Sequence, residues 1–320
     1  MIKFAKSVLA IVFIACATLA SAQQFPAKQI RMIVPFTPGG GTDFVTRTLT
    51  AKVFEKSGQP VLVDNRPGAA GNLGTALGAK APPDGYTLVM AYMGTLAIGP
   101  WIYKDLGYHP LQDFAFITQF VSVPLVVVAH PSLPVKNLKE LAALAKAQPG
   151  KLSYASAGDT SQMTGELFKI MTGAKMVQVP YKGAGPAATD LIGGHIPLAF
   201  LGLAATTEHI KTGRLRGLAV TGPSRLASLP EVPSAPEAGY PELDVNDWYG
   251  VAAPANTPKE IIAMLNAEFV RALKLPEVKE RLNKAGFEAA ASSPEEFTAY
   301  VKSEYERWGK IVKQSGVKAQ

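Results

Sequence analysis

Apolar residues recur along this chain in two rhythms. Short runs rich in β-branched residues at 30–34, 61–64 and 87–90 read as strands, and segments with apolar positions three and four apart follow them as helices. A helix is predicted over 44–56, with Phe44, Leu49 and Val53 near one face and Ser57-Gly58 ending it, and a second over 73–80. The run 125–129 is apolar at every position, as in a strand buried on both faces. Pro131 and Pro134 end it, and 138–147 is an amphipathic helix closed by Pro149-Gly150. Strand and helix then alternate, at 152–155 and 164–171, then at 177–179 and 186–192, with further strands at 198–201 and 215–220. After a proline-rich stretch over 229–240 come a late strand at 248–253 and helices over 259–273 and 294–313. Phe297, Val301, Trp308 and Val312 form the apolar side of the last helix. This alternation predicts an α/β protein with a mainly parallel sheet.

The first residues set the compartment. Lys3 and Lys6 precede an apolar run over 8–19, and Ala20-Ser21-Ala22 supplies small residues for a peptidase, so 1–22 read as a secretory signal peptide cleaved after Ala22. The run is shorter than the roughly 20 residues of a membrane span. Cys16 sits in a poor version of a lipidation box. Removing 1–22 removes the only cysteine, which excludes disulfides, thiolate nucleophiles and thiolate metal sites from the mature chain. The net charge of +7 falls to +5 once Lys3 and Lys6 are subtracted, since 1–22 hold no acidic residue. That excess is dispersed, which fits a small anionic ligand better than nucleic acid. The remaining length allows two domains. Crossings at 124–128 and 246–253 would divide it into a discontinuous first lobe, 23–124 plus 250–320, and a second lobe, 125–249.

Glycine-rich loops follow several strands. Pro38-Gly39-Gly40-Gly41-Thr42-Asp43 stands between the first strand and the first helix, where free backbone amides and the helix dipole favour a carboxylate or phosphate. Thr42 or Asp43 is expected to cap that helix. The spacing is not that of a nucleotide fingerprint, because Phe44 stands where the third glycine belongs and no GxxxxGK[ST] occurs. Similar loops run over 67–72, 156–161 and 181–185. In open sheets such loops gather outside the carboxyl ends of parallel strands, where ligands bind.

Catalytic patterns are thin. There is no GxSxG and no HExxH, and His109, His130, His195 and His209 lack metal-ligand spacing, so each reads as a surface or capping histidine. Trp248 and Tyr249 read as core residues of the late strand, with cleft lining as the alternative.

Taken in order, Val34-Pro35-Phe36-Thr37-Pro38-Gly39-Gly40 with Asp43, Asn65-Arg66-Pro67-Gly68-Ala69-Ala70-Gly71 and Pro83-Asp84-Gly85-Tyr86-Thr87 resemble the Bug family, the substrate-binding proteins of tripartite tricarboxylate transporters. The likeness continues through Gly165-Glu166-Leu167-Phe168, Val179-Pro180-Tyr181-Lys182-Gly183, Pro230-Glu231-Val232-Pro233 and Ala252-Ala253-Pro254. It implies a two-lobed type II periplasmic-binding fold, a monomer, a small carboxylate held between the lobes, and membrane components of a tripartite transporter as partners, with no cofactor or metal. The contact positions it implies are Phe36, Thr37, Gly39, Gly40, Asp43 and Thr95, then Ser156, Thr160 and Ser161, then Lys182, Gly183 and Ala184. Met163 and Leu96 replace residues that are commonly histidine or polar in the family, which favours an apolar or aromatic carboxylate, alongside dicarboxylates, over an amino acid. A ligand-loaded partner of a sensor kinase and a hydrolytic enzyme are the competing expectations.

Overall fold

The computed structural model describes residues 25–55 and 58–317; residues 1–22, read as a signal peptide, lie outside the described residues. β1 (Ile30–Val34), β2 (Val61–Asn65) and β3 (Thr87–Tyr92) form a parallel group in the order β2-β1-β3, with α1 (Gly41–Thr50) and α2 (Asn72–Ala79) between them. A π-turn (Gly94–Ile98) and the short α3 (Gly99–Ile102) lead into β4 (Phe114–Ala129), a strand of 16 residues. Next come α4 (Leu138–Ala147), β5 (Ser153–Ser156), α5 (Asp159–Thr172), β6 (Val177–Pro180), α6 (Ala184–Ile192), β7 (Leu198–Gly202), α7 (Thr207–Lys211) and β8 (Arg216–Val220). The chain returns along β9 (Asn246–Pro254) and closes with α8 (Lys259–Lys274), α9 (Pro276–Lys284), β10 (Glu288–Ala289) and α10 (Pro294–Ser315).

β4 and β9 tie the two lobes together. Their antiparallel register runs from Phe114↔Pro254 to Pro124↔Asn246 and ends there. From Leu125 onward β4 pairs instead with β7, through Leu125↔Gly202, and with β8. The proline falls where the strand changes partners, a place where a missing N–H is tolerated.

The sheet is mixed rather than mainly parallel. β1–β2, β1–β3, β5–β6 and β5–β7 are parallel, whereas β3–β9 and every pairing of β4 are antiparallel. The βαβ units read from the sequence account for the parallel pairs. The antiparallel ones all involve β4 or β9: β9 pairs with β3 and the first half of β4, and the second half of β4 pairs with β7 and β8.

Period-two alternation divides the core. Ile33, Val89, Val127 and Phe200 face one cluster that runs beneath both lobes and against α10. Their neighbours Met32, Val34, Leu88 and Met90 face a second cluster in the first lobe, and Val126, Val128, Ala199 and Leu201 a third in the second lobe. With both faces covered, strands such as 125–129 are continuously apolar. Met163 and Leu96 are buried in the first cluster. No helix among the described residues is long and apolar enough to cross a membrane.

Candidate functional site

Three helices that follow parallel strands, α1, α5 and α6, begin in a shared way. Their N-caps are Gly40, Gly158 and Gly183, and no side chain caps any of the three. Of the other helices, α4 and α10 carry side-chain caps, where Asn137 accepts from the Glu140 amide and where Ser293 and Glu296 form a full capping box, whereas α2, α3, α7, α8 and α9 carry none. The first-turn amides of α1, α5 and α6 therefore remain available to an anion, reinforced by the helix dipoles. Gly158 (φ 118°, ψ −179°) and Gly183 (φ 125°, ψ 171°) occupy backbone that essentially only glycine adopts, whereas Gly40 (φ −78°, ψ 171°) is in ordinary extended geometry.

Contacts link these helix ends. Tyr181 donates its amide to the Ser156 carbonyl at 2.8 Å, and Ser156↔Pro180 are register partners, so the α5 and α6 starts are neighbours. Thr160 Oγ1 lies 3.3 Å from Tyr92 Oη at the end of β3, and the Tyr92 and Tyr249 rings are 5.7 Å apart. A Cβ on Gly41 would lie 3.5 Å from Tyr249 Oη, which puts this ring beside the α1 start. Phe36 packs edge-on against Tyr92 at 5.1 Å, and Phe287 extends the row from Tyr249 to Phe44. The arrangement is an aromatic wall with amide-bearing helix ends on either side of it.

Asp43 organises the first loop. It is buried in the first turn of α1 and does not serve as the N-cap, nor does Thr42. Its Oδ2 accepts from the Gly39 amide at 3.0 Å, its Oδ1 accepts from Asn65 Nδ2 at 2.9 Å, and Arg47 Nε donates to both at 3.0 Å. Burial pushes the carboxyl up, but the donors from Arg47, Gly39 and Asn65 outweigh it and hold the group below its ordinary value. Asp43 is thus committed to the loop, and so is the Gly39 amide.

The other expected contact residues divide by what they have free. Phe36 is half-buried in the wall, Thr37, Gly39 and Gly40 are exposed on the loop, and Gly183 and Ala184 are half-buried at the α6 start. Lys182 is exposed. Thr95 is buried and donates to the Tyr92 carbonyl at 3.2 Å. Ser156 is buried and accepts from Gln178 Nε2 at 2.8 Å. Ser161 donates to the Phe200 carbonyl and accepts from the Ala157 amide at 3.0 Å. The Thr95 and Ser161 hydroxyls are spent on holding the loops, so at 161 the group open to a ligand is the amide, while Ser156 only accepts and its O–H has no acceptor among the described residues. Trp248 is wholly buried against Phe297, and Tyr249 lines the wall. His109 and His130 bind backbone amides of their own turns.

Two residues at the base of the cleft escaped the sequence reading. Asp247, on β9, accepts from Thr160 Oγ1 at 3.5 Å, and Asp159 accepts from Tyr103 Oη at 3.1 Å. In the sequence Asp247 follows Asp244 and Asn246 at the polar start of a strand, so nothing local set it apart. Surface depressions, one of about 490 Å³ lined by Pro124, Leu203, Arg225, Lys279 and Phe287, contain none of the first-turn residues of α1, α5 and α6.

Similarity to known proteins follows the whole site. Residues 45–317 match the tripartite tricarboxylate transporter family receptor. The chain belongs to that family. It is 38% identical to Protein BugT of Bordetella pertussis over 313 residues, with 96% of each chain covered. Among solved structures, an R. palustris protein with adipate superposes with a TM-score of 0.83 at 35% identity, covering 92% of this chain and all of the other. The periplasmic binding protein BugD gives 0.80 at 34%, covering 92% and 100%. MatC from Rhodopseudomonas palustris, with bound malate, gives 0.80 at 31%, covering 90% and 100%. The fold is that of the periplasmic binding proteins, and the family is one of transport receptors rather than enzymes.

Proposed function

We propose that this protein is exported to the periplasm, captures a small dicarboxylate between its lobes, and presents it to the membrane components of a tripartite transporter. The observation that carries the reading is the set of uncapped first turns at α1, α5 and α6 around one aromatic wall. A rigid amide donor costs little to organise, and each charge-assisted hydrogen bond contributes about 1.5–3 kcal/mol. Helix ends in both lobes suit an anion at each end of the ligand, and Phe36, Tyr92 and Tyr249 suit the carbon chain between. Relatives solved with adipate and malate fit this choice.

The division at 23–124 plus 250–320 and 125–249 accompanies the proposal, as do contacts from Phe36, Thr37, Gly39, Gly40, Asp43, Thr95, Ser156, Thr160, Ser161, Lys182, Gly183 and Ala184, cleavage after Ala22 and a monomeric state. Isothermal titration calorimetry with adipate, malate, benzoate and glutamate tests the ligand class. The reading expects micromolar or tighter binding of at least one dicarboxylate and weaker binding of benzoate. Tight binding of glutamate alone, or of none of the four, contradicts it.

A further inference from the structure

The base of the cleft is joined across the lobes by acidic and phenolic groups, without a cation. Tyr103, from the first lobe, donates to Asp159 at 3.1 Å. Tyr92, at the end of β3, meets Thr160 at 3.3 Å, and Thr160 reaches Asp247 at 3.5 Å. Asp159 and Thr160 are the first two residues of α5 in the second lobe, and Asp247 lies next to Asn246, where β9 leaves its pairing with β4. Three contacts thus bridge α5, the end of the first-lobe sheet and a crossing strand, and two of them end on a carboxyl.

The surroundings of both carboxyls are unfavourable to charge. Asp159 faces Tyr103, with Tyr92 and Tyr108 also within its field. Asp247 faces Glu304 of α10, together with Tyr92, Tyr249 and Tyr300. Glu304 is itself held by Arg307 at 3.3 Å and by Trp308 Nε1 at 3.0 Å, so Arg307 is engaged one step away. Burial pushes Asp247 up to about 8 against the opposing Trp248 amide and Thr160 hydroxyl, and Glu304 adds to the rise. Burial likewise pushes Asp159 up to about 6, against the Tyr103 donor.

We propose that Asp159 and Asp247 form a proton-linked latch, so that closure of the lobes takes up protons and ligand capture strengthens as the medium becomes more acidic. The proposal rests on the reading of the chain as a two-lobed receptor. Both residues are half-buried here; opening the lobes wets their carboxyls further and returns them toward 3.8, so the closed form binds more protons than the open one. Closure is favoured fully below about pH 4 and loses that advantage as pH rises, through about 6 for Asp159 and about 8 for Asp247. Between those two values only Asp247 still contributes, and the affinity changes by up to about tenfold per pH unit.

Two measurements test the latch. Small-angle scattering of the ligand-free protein from pH 5 to 9 is expected to show a radius of gyration that grows with pH, and Asp247→Asn is expected to stay compact through the upper half of the range. Calorimetry with adipate at pH 7, in buffers of different ionisation enthalpy, is expected to show net proton uptake that Asp247→Asn abolishes. If Asp247→Asn fails to fold, Tyr103→Phe serves instead: without the donor to ionised Asp159, expansion above pH 6 becomes larger. A radius that does not change with pH, or adipate binding with no buffer dependence, overturns the latch. A pH-dependent radius in a protein that ignores adipate supports the latch and counts against the dicarboxylate reading.

Discussion

Substituting the three N-cap glycines separates backbone strain from ligand contact. A Cβ on Gly158 or Gly183 meets nothing within 4 Å, and on Gly40 the nearest atoms are 3.8 Å and 4.0 Å away, so none of the three sites forbids a side chain by collision. The backbone tells them apart. Gly158→Ala and Gly183→Ala force an L residue to φ of 118° and 125°, at a cost of about 1–3 kcal/mol each. In a chain of this size that lowers Tm by roughly 2–8 °C. Gly40→Val keeps φ near −78°, which valine adopts readily, so Tm stays within about 2 °C of the parent. Its side chain adds bulk beside the Thr37 carbonyl and the Thr42 hydroxyl at the α1 start and is expected to remove one or two charge-assisted hydrogen bonds, a loss of roughly 10- to 100-fold in affinity for a bound dicarboxylate. Thermal unfolding by circular dichroism and titration calorimetry on the same preparations read the two effects separately. Equal Tm values for Gly183→Ala and Gly40→Val would rule out the backbone strain at Gly183, and unchanged affinity in Gly40→Val would rule out ligand contact at the α1 start.

Other substitutions bear on the supports of the site. Asp43→Ala leaves the Gly39 amide without its acceptor and takes one bond each from Asn65, which keeps the Phe36 carbonyl, and Arg47, which keeps Asn65 Oδ1; it should cost about 1–3 kcal/mol, seen as a lower midpoint in urea unfolding. Because the Asp43 carboxyl is held below its ordinary 3.8, its stabilisation is present above that value and disappears as pH falls through the lower folded one; an acid titration of Asp43→Asn should be flatter there than that of the parent. Trp248→Ala, which empties a wholly buried site packed on Phe297 and Tyr300, should cost about 3–5 kcal/mol by the same unfolding assay. Lys182→Ala should change dicarboxylate affinity by less than about threefold if the amides supply the attraction, because exposed charges contribute little.

Much of the fold can be read in the hydrophobic pattern, and the exceptions have local causes. The run 125–129 is legible because both its faces are buried. The first half of the same strand is not: bulges between Phe116 and Thr118 and between Gln119 and Val121 break the alternation, and Thr118 turns its hydroxyl to the Ser292 carbonyl at 2.9 Å. α9 is hidden because only Val278 and Leu282 of its nine residues are buried. α5 begins at Asp159, five residues before the predicted start, since its first turn is polar and faces the cleft. α1 stops at Thr50, short of 56. The glycine loops were visible as candidates for amide donors. What their side chains do was not: a string of Ser, Thr and Asp gives no sign of which hydroxyl folds back on a carbonyl, as at Ser161, and which bridges lobes, as at Thr160. Asp247 and Tyr103 come together only through the tertiary fold.

In the proposed function, backbone amides at three helix starts hold the ligand's carboxylates. Nitrogen-15 NMR of the labelled protein titrated with adipate tests it most directly. Downfield amide-proton shifts at Gly41, Thr42, Thr160, Ala184 and Gly185 are expected, saturating together with the calorimetric isotherm. Saturation with those amides unmoved, and shifts gathered instead around Arg225 and Lys279, would contradict it.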